Sequence, residues 1–264
     1  MITMIRKMRL HIPILLLLFL VARATATCSL IQTGTNGACG TASTCAVTGG
    51  VGSTGSGHLI EMFAASGGGT DFLITAVATG AGTAILCPAS GCHANGSLKT
   101  VDQSYILSSS VSATVTITLN GTVAGNWNAA FKEYSCTGAL TFDLGTSLAN
   151  ASCTTSCLGA SITPTATDLI FETCNGSPNC TAVTSPFNGD VTIFSGDGVS
   201  AAGGQTTTQQ PTWTLSTTGP MVFSAMAFKE AQPTTIPHPS AIVISELSAF
   251  QTFEFDPLTA RSPR

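Results

Sequence analysis

The chain has 264 residues, of which only 8% are charged and 44% apolar, with a formal net charge of −4 at neutral pH. Apolar runs recur throughout a background of Ser, Thr, Gly and Ala, which excludes a disordered polyelectrolyte. Arg6, Lys7, Arg9 and Arg23 crowd the N-terminal end, so the remainder holds five basic residues against thirteen acidic ones. That balance speaks against a nucleic acid or an anionic membrane surface as partner.

Residues 1–26 have the layout of a secretory signal peptide: a basic start, an apolar run over 12–21, and small residues at Ala24, Thr25 and Ala26. The run is short for a membrane span. Thr27 stands where a lipid-anchor signal before Cys28 would want Gly, Ala or Ser. The rest of the chain is long enough for one β-sandwich with a substantial core.

All ten cysteines, Cys28, Cys39, Cys45, Cys87, Cys92, Cys136, Cys153, Cys157, Cys174 and Cys180, lie beyond the signal. An even count behind an export signal reads as disulfides. The short-range pairs Cys87–Cys92, Cys174–Cys180 and Cys153–Cys157 are favoured, and the other partners stay open. Cys87, Cys92 and His93 also cluster, but zinc sites use closer, repeated Cys spacings.

Residues 27–57 are rich in Gly, Thr and Cys and read as an irregular lead-in with one short strand at 45–47. Strand signals follow at 58–65, 72–78, 83–86, 105–108 and 112–119. In the last of these Val111, Ala113, Val115, Ile117 and Leu119 alternate with Ser and Thr, one apolar face against one hydroxyl face. Further strands are expected at 127–134, 140–144, 158–163, 168–173, 191–194, 211–216 and 221–230. Residues 199–210 read as a polar loop. No stretch carries a sustained helical period with caps. The fold class is therefore all-β: an antiparallel, jelly-roll-like β-sandwich over 58–231, followed by a Pro-rich linker and tail at 232–264. An apolar run at 241–247 would add an edge strand or belong to that tail.

The sequence Ala-Phe-Lys-Glu occurs twice, at 130–133 and 227–230. Read as corresponding core strands, the two copies point Phe131 and Phe228 inward and Lys132 and Lys229 outward. Together with Gly57-His58-Leu59-Ile60, Lys132-Glu133-Tyr134-Ser135, Asp168-Leu169-Ile170 and Ala227-Phe228-Lys229-Glu230-Ala231, this makes most of the chain resemble a family of secreted bacterial β-sandwich domains. The resemblance implies a fold and an extracellular setting, without an activity. One turn departs from the family pattern: residues 78–84 lack its polar side chains, and with them any ligand or ion contact made there.

Candidate chemistry is sparse. His58 with Asp71 or Asp102 could supply part of a triad, but no nucleophile elbow accompanies them. Glu61, Glu133, Asp168, Glu172 and Glu230 could pair for glycoside hydrolysis, yet strand-end solvated charge is the simpler reading. Asp190 and Asp197, in Gly-rich turns, are candidate calcium ligands, with turn formation as the alternative. Trp213, Trp127 and Tyr105, with Tyr134, could form a sugar-stacking platform if exposed. Asn95, Asn120, Asn150, Asn175 and Asn179 begin Asn-x-Ser/Thr sequons. These readings predict a secreted or surface-displayed, non-catalytic β-sandwich with a structural or adhesive role and no cofactor. Its partners would be extracellular glycans or other surface proteins. A carbohydrate-binding module is the alternative, and a secreted hydrolase the third reading.

Overall fold

The computed structural model describes residues 28–49, 58–67, 70–78, 85–87, 91–109 and 114–230. The expected signal peptide and tail, with its apolar run, lie outside them. Nine strands come from the first half: β1 (Cys28–Asn36), β2 (Thr44–Thr48), β3 (His58–Ser66), β4 (Ile74–Ala78), β5 (Ile85–Leu86), β6 (His93–Asn95), β7 (Thr100–Ser109), β8 (Thr114–Leu119) and β9 (Trp127–Cys136). Eight come from the second: β10 (Leu140–Cys153), β11 (Ser156–Leu158), β12 (Asp168–Gly176), β13 (Cys180–Val183), β14 (Val191–Phe194), β15 (Asp197–Gln205), β16 (Thr212–Leu215) and β17 (Gly219–Glu230). A short 3-10 turn, Phe187–Gly189, is the one helical element among the described residues.

The strands form four antiparallel sheets. In the first half, a large sheet ordered β1-β9-β3-β7-β5, with β6 also on β7, packs on a small sheet β2-β8-β4. In the second, β10-β17-β12-β15-β14 packs on β11-β16-β13. Both have jelly-roll strand order, and one order becomes the other when each strand is replaced by its counterpart. The single sandwich expected over 58–231 is thus two sandwiches in tandem. The stretch read as lead-in supplies β1 and β2, and most of the stretch read as a polar loop at 199–210 belongs to β15.

Alternation explains the small sheets. Val115, Ile117 and Leu119 of β8 face the first core with Cys45, Val47, Ile60, Met62 and Phe131, while Thr114, Thr116 and Thr118 face outward. The large sheets obey a different rule. Their second faces turn toward each other and enclose Leu59, Tyr105, Tyr134, Leu169, Phe171, Met226 and Phe228. Further along the same seam lie Phe63, Ala65, Val101, Ala130, Val199 and Val222. The layers therefore run small sheet, large sheet, large sheet, small sheet. Strands β3, β9, β12 and β17 are buried on both faces and read as near-continuous apolar runs.

The two halves share their irregularities. The first strand slips against the last between Leu30 and Gln32, and again between Phe142 and Leu144. The third slips against its neighbour between His58 and Ile60, and again between Asp168 and Ile170. The fourth slips between Ile74 and Ala76, and again between Cys180 and Ala182. Bulges re-aim side chains at fixed places, so three matching bulges mark an internal structural repeat. They also fix its register. Leu30 pairs with Tyr134 and Phe142 with Phe228, which makes Tyr134 the counterpart of Phe228.

The repeated Ala-Phe-Lys-Glu is consequently three residues out of structural register. Phe131 fills the first sandwich, whereas Phe228 fills the seam between sandwiches. Lys132, expected to point away, is fully buried, and only Lys229 is solvated.

Five disulfides join all ten cysteines: Cys28–Cys136, Cys39–Cys45, Cys87–Cys92, Cys153–Cys157 and Cys174–Cys180. The three favoured short-range pairs are among them. Cys39–Cys45 and Cys153–Cys157 each staple the turn from first to second strand of their sandwich. Cys28–Cys136 spans 108 residues and closes the first sandwich end to end. In the chain-entropy account, a loop of that length is worth about 4–5 kcal/mol.

Phe228 meets Tyr105, Phe142 and Phe171 edge-on, with ring centroids 4.9–5.8 Å apart. Phe228→Ala should therefore destabilise the chain by about 3–5 kcal/mol. Thr116→Ala, on an outer face, should stay within about 0.5 kcal/mol. Denaturant midpoints of the two variants check this, and equal midpoints would place Phe228 outside the core.

Candidate functional site

The polar groups with chemical potential converge on the seam between the two large sheets. Glu61 on β3 stands directly opposite Lys132 on β9 in the strand register, so the two share a face. Both are fully buried. Lys132 Nζ reaches across the seam to Asp190, contacting Oδ1 and donating to the backbone oxygen at 3.2 Å. Asp190 is held from two sides. Its backbone N–H donates to the Phe187 carbonyl of the 3-10 turn, and its own carbonyl accepts from Ala201 N–H of β15 at 3.1 Å. The tight β14–β15 hairpin turns through Ser195 and Gly196, both at positive φ, which places the start of β14 against β15.

Around this pair runs a ladder of bonds from one sandwich to the other. Gln103 donates to Glu61 at 2.9 Å and accepts from Ser224 at 2.8 Å, and Ser224 meets Thr173 at 2.7 Å. Asn175 donates to the carbonyls of Ser66 and Thr100 at 3.0 and 2.8 Å. Asn128 donates to Asp197 at 2.5 Å. One oxygen each of Glu61 and Asp190, Oε2 and Oδ2, is buried without a donor. Burial pushes Glu61 up to about 7, against the opposing pull of Gln103 and Lys132. Burial likewise pushes Asp197 to about 7, against the Asn128 bond, and raises Glu172 well above the carboxylate range, against the Ala160 N–H.

Two further clusters occupy sandwich ends. In the first sandwich, buried Glu133 holds His58 Nδ1 and Gln32 Nε2, each at 2.6 Å. In the second, Asp168 is buried with no donor on either oxygen and rises to about 7, through burial and then through Asp143 beside it. Asp143 is lowered: burial opposes this, but bonds from Thr165 at 2.8 Å and Lys229 at 3.0 Å prevail. His93 lies between Asp71 at 2.9 Å and Asp102 at 3.6 Å. Burial pulls His93 down, and these two carboxylates outweigh it and hold it above its ordinary value. Asp102 itself is raised by burial.

Several expected sites are not assembled. Trp213 and Trp127 are fully buried and Tyr105 nearly so, with Trp127 Nε1 donating to the Ala42 carbonyl at 2.8 Å. Tyr134 is buried as well. These aromatics are core residues because they sit on inward faces of central strands, and they form no stacking platform. Asp190 engages Lys132, and Asp197 separately engages Asn128. Among the described residues no three His, Cys, Asp or Glu side chains are grouped to hold a metal. Asp71 and Asp102 serve His93, not His58. Cys87 and Cys92 are joined to each other beside His93. The carboxylates Glu61, Glu133, Asp168, Glu172 and Glu230, expected at solvated strand ends, are buried because both faces of their strands are covered. Of the sequons, Asn175 is buried and bonded, whereas Asn95, Asn120 and Asn179 are exposed.

The Glu61–Lys132–Asp190 group was legible only as charge inside apolar runs. Glu61 lies within Leu59-Ile60-Glu61-Met62-Phe63, and Lys132 follows Ala129-Ala130-Phe131. No family model, curated protein or solved structure matches this chain. No helix among the described residues is long and apolar enough to cross a membrane.

The raised carboxylates set a sign for pH dependence. A carboxyl whose folded-state pKa lies above its unfolded value confers stability in full below the unfolded pKa, and loses it as pH climbs through the folded one. For Glu61, Asp168 and Asp197 the window runs from about 4 to about 7. His93, raised by its acids, acts in the same direction at higher pH, and Asp143, lowered, acts oppositely below its ordinary value. Thermal melts should give a higher midpoint at pH 5 than at pH 8. A midpoint that rises with pH over that range would contradict the buried, protonated state of these groups.

Proposed function

We propose that this chain is a secreted or surface-displayed, non-catalytic β-protein with a structural or adhesive role. The observation that carries this reading is the direction of its reactive side chains. Glu61, Asp102, Glu133, Asp168, Glu172, Asp197, Glu230, Lys132 and both tryptophans are buried in the seam or the sandwich cores. A catalytic centre needs such groups around a space that a substrate can enter, and a sugar platform needs an exposed aromatic face. Five disulfides support an oxidising, extracellular setting. The resemblance to secreted bacterial sandwich domains points the same way. Among the described residues, the outer faces of the two small sheets present mainly Thr, Ser and Ala, suited to contact with other surface proteins rather than to turnover.

Two measurements test this reading. A glycan-array screen of the chain lacking its first 26 residues should return no specific ligand, and a reproducible, saturable hit would move the assignment to a carbohydrate-binding module. Thiol titration of denatured protein from the native compartment should find no reactive cysteine. Several free thiols would remove the extracellular setting.

A further inference from the structure

We propose that Lys132 and Asp190 become joined by an amide bond between their side chains, formed without any other enzyme and assisted by Glu61. The inference goes beyond the structural role above and stands whether or not the outer surface binds anything.

The geometry meets the requirements of such a condensation. The nucleophile, Lys132 Nζ, already contacts the carboxyl of Asp190, so attack on Cγ needs no rearrangement of backbone. Asp190 is fixed by its backbone bonds to Phe187 and Ala201. A third group able to carry protons lies on the adjoining strand: Glu61, opposite Lys132 in register and felt by it electrostatically without an ion-pair contact, with Oε1 held by Gln103 and Oε2 without a partner. Glu61 is held protonated to about neutral pH by burial, which equips it as an acid in a dry site. Phe63, Phe194 and Val199 line the same part of the seam, with Phe63 and Phe194 edge-to-face at 5.7 Å. Lys132 and Asp190 Oδ2 are shielded from water, with the Asp190 side chain 22% exposed overall, and a charged pair there is costly relative to a neutral one.

The step balances without an oxidant or a co-reactant. The Lys132 ammonium passes a proton to the Asp190 carboxylate, leaving a neutral amine and a carboxylic acid. The amine lone pair forms the N–Cγ bond, and the carbonyl electrons move to oxygen. Glu61, its carboxyl turned toward the pair by side-chain rotation, donates its proton to the departing hydroxyl and takes one from nitrogen, the Cγ–O bond breaks, and water leaves. Glu61 ends as it began, and the net change is ammonium plus carboxylate to amide plus water. The bond would cross the seam and tie the first sandwich, through β9, to the second, through the residue before β14.

Intact mass spectrometry of the full secreted chain, reduced and denatured, tests the proposal directly. The expected mass is lower than that of the sequence by one water, and proteolysis should yield one branched peptide containing Lys132 and Asp190. Lys132→Met and Asp190→Ala should each restore the full mass. Glu61→Gln should fold, by circular dichroism and a full set of disulfides, yet remain uncrosslinked. An unshifted mass in folded wild-type protein overturns the proposal, and so does a water loss confined to the Asp190 peptide, which would be an internal imide. Crosslinking in Glu61→Gln at the wild-type rate overturns the part given to Glu61. If that variant does not fold, the wild-type mass and branched peptide still decide the bond itself.

Discussion

The face-to-face packing of the two large sheets is the constraint on which the rest depends. A jelly roll alone has one inner core and an outer surface available to water or ligand. Here the outer face of each large sheet is the other's partner, so β3, β9, β12 and β17 have no solvent side. A polar residue on those strands has partners only within the protein, and each polar group left unmet there costs roughly 1–3 kcal/mol. That requirement accounts for the ladder of Gln103, Ser224, Thr173, Asn175 and Asn128. The bonds Ser224–Gln103, Asn175 to Ser66 and Thr100, and Asn128–Asp197 each end on a specific atom of the facing half, so the ladder sets the lateral position that apolar packing alone leaves loose.

The internal repeat shows how the seam was shaped differently on its two sides. Equivalent bulges put Tyr134 and Phe228 at matching places, and both rings lie in the same apolar cluster. Lys132, in contrast, belongs to the first sandwich and finds its acid in the second. The two halves are alike in path yet complementary in chemistry, with a cation on the first large sheet and its counter-ion in the turn that leads into β14 of the second. A symmetric seam would set like residues against like, and a single buried Lys could not be matched that way.

Much of the fold was legible in the sequence. The alternation of β8 identified a half-buried strand, because one of its faces really is wet. The same rule found β3, β9, β12 and β17 as strands but could not say that both their faces were covered. Glu61, Lys132 and Glu172 were therefore read as solvated. β15 escaped notice because Ala201, Ala202, Gly203 and Gly204 carry little side chain. Small residues look like loop in a composition, whereas Val199 and Ala201 pack into the seam and Ala202 into the second core. The Ala-Phe-Lys-Glu match pointed correctly to a repeat and wrongly to its register. Four identical letters cannot outweigh three shared bulges, since register follows the pairing of whole strands. Local disulfides were readable from spacing, while Cys28–Cys136 needed β1 and β9 to be known as neighbours.

The seam also bears on why a Lys should sit there at all. Taking an ammonium and a carboxylate out of water costs several kcal/mol per ion, which their attraction recovers only with full hydrogen bonding. The Lys132–Asp190 pair lacks that, since Asp190 Oδ2 has no donor. As an ion pair it contributes little compared with two packed apolar residues. As an amide it carries no net charge, needs one donor and one acceptor matched, and holds the sheets together even when the seam is pulled or wetted. On energetic grounds a buried Lys beside a buried acid and a pinned Asp is a weak salt bridge, and it is a well-placed set of precursors. Disulfides brace each sandwich separately: none of the five joins the first half to the second. A covalent tie between the halves would add a constraint that the cysteines do not supply.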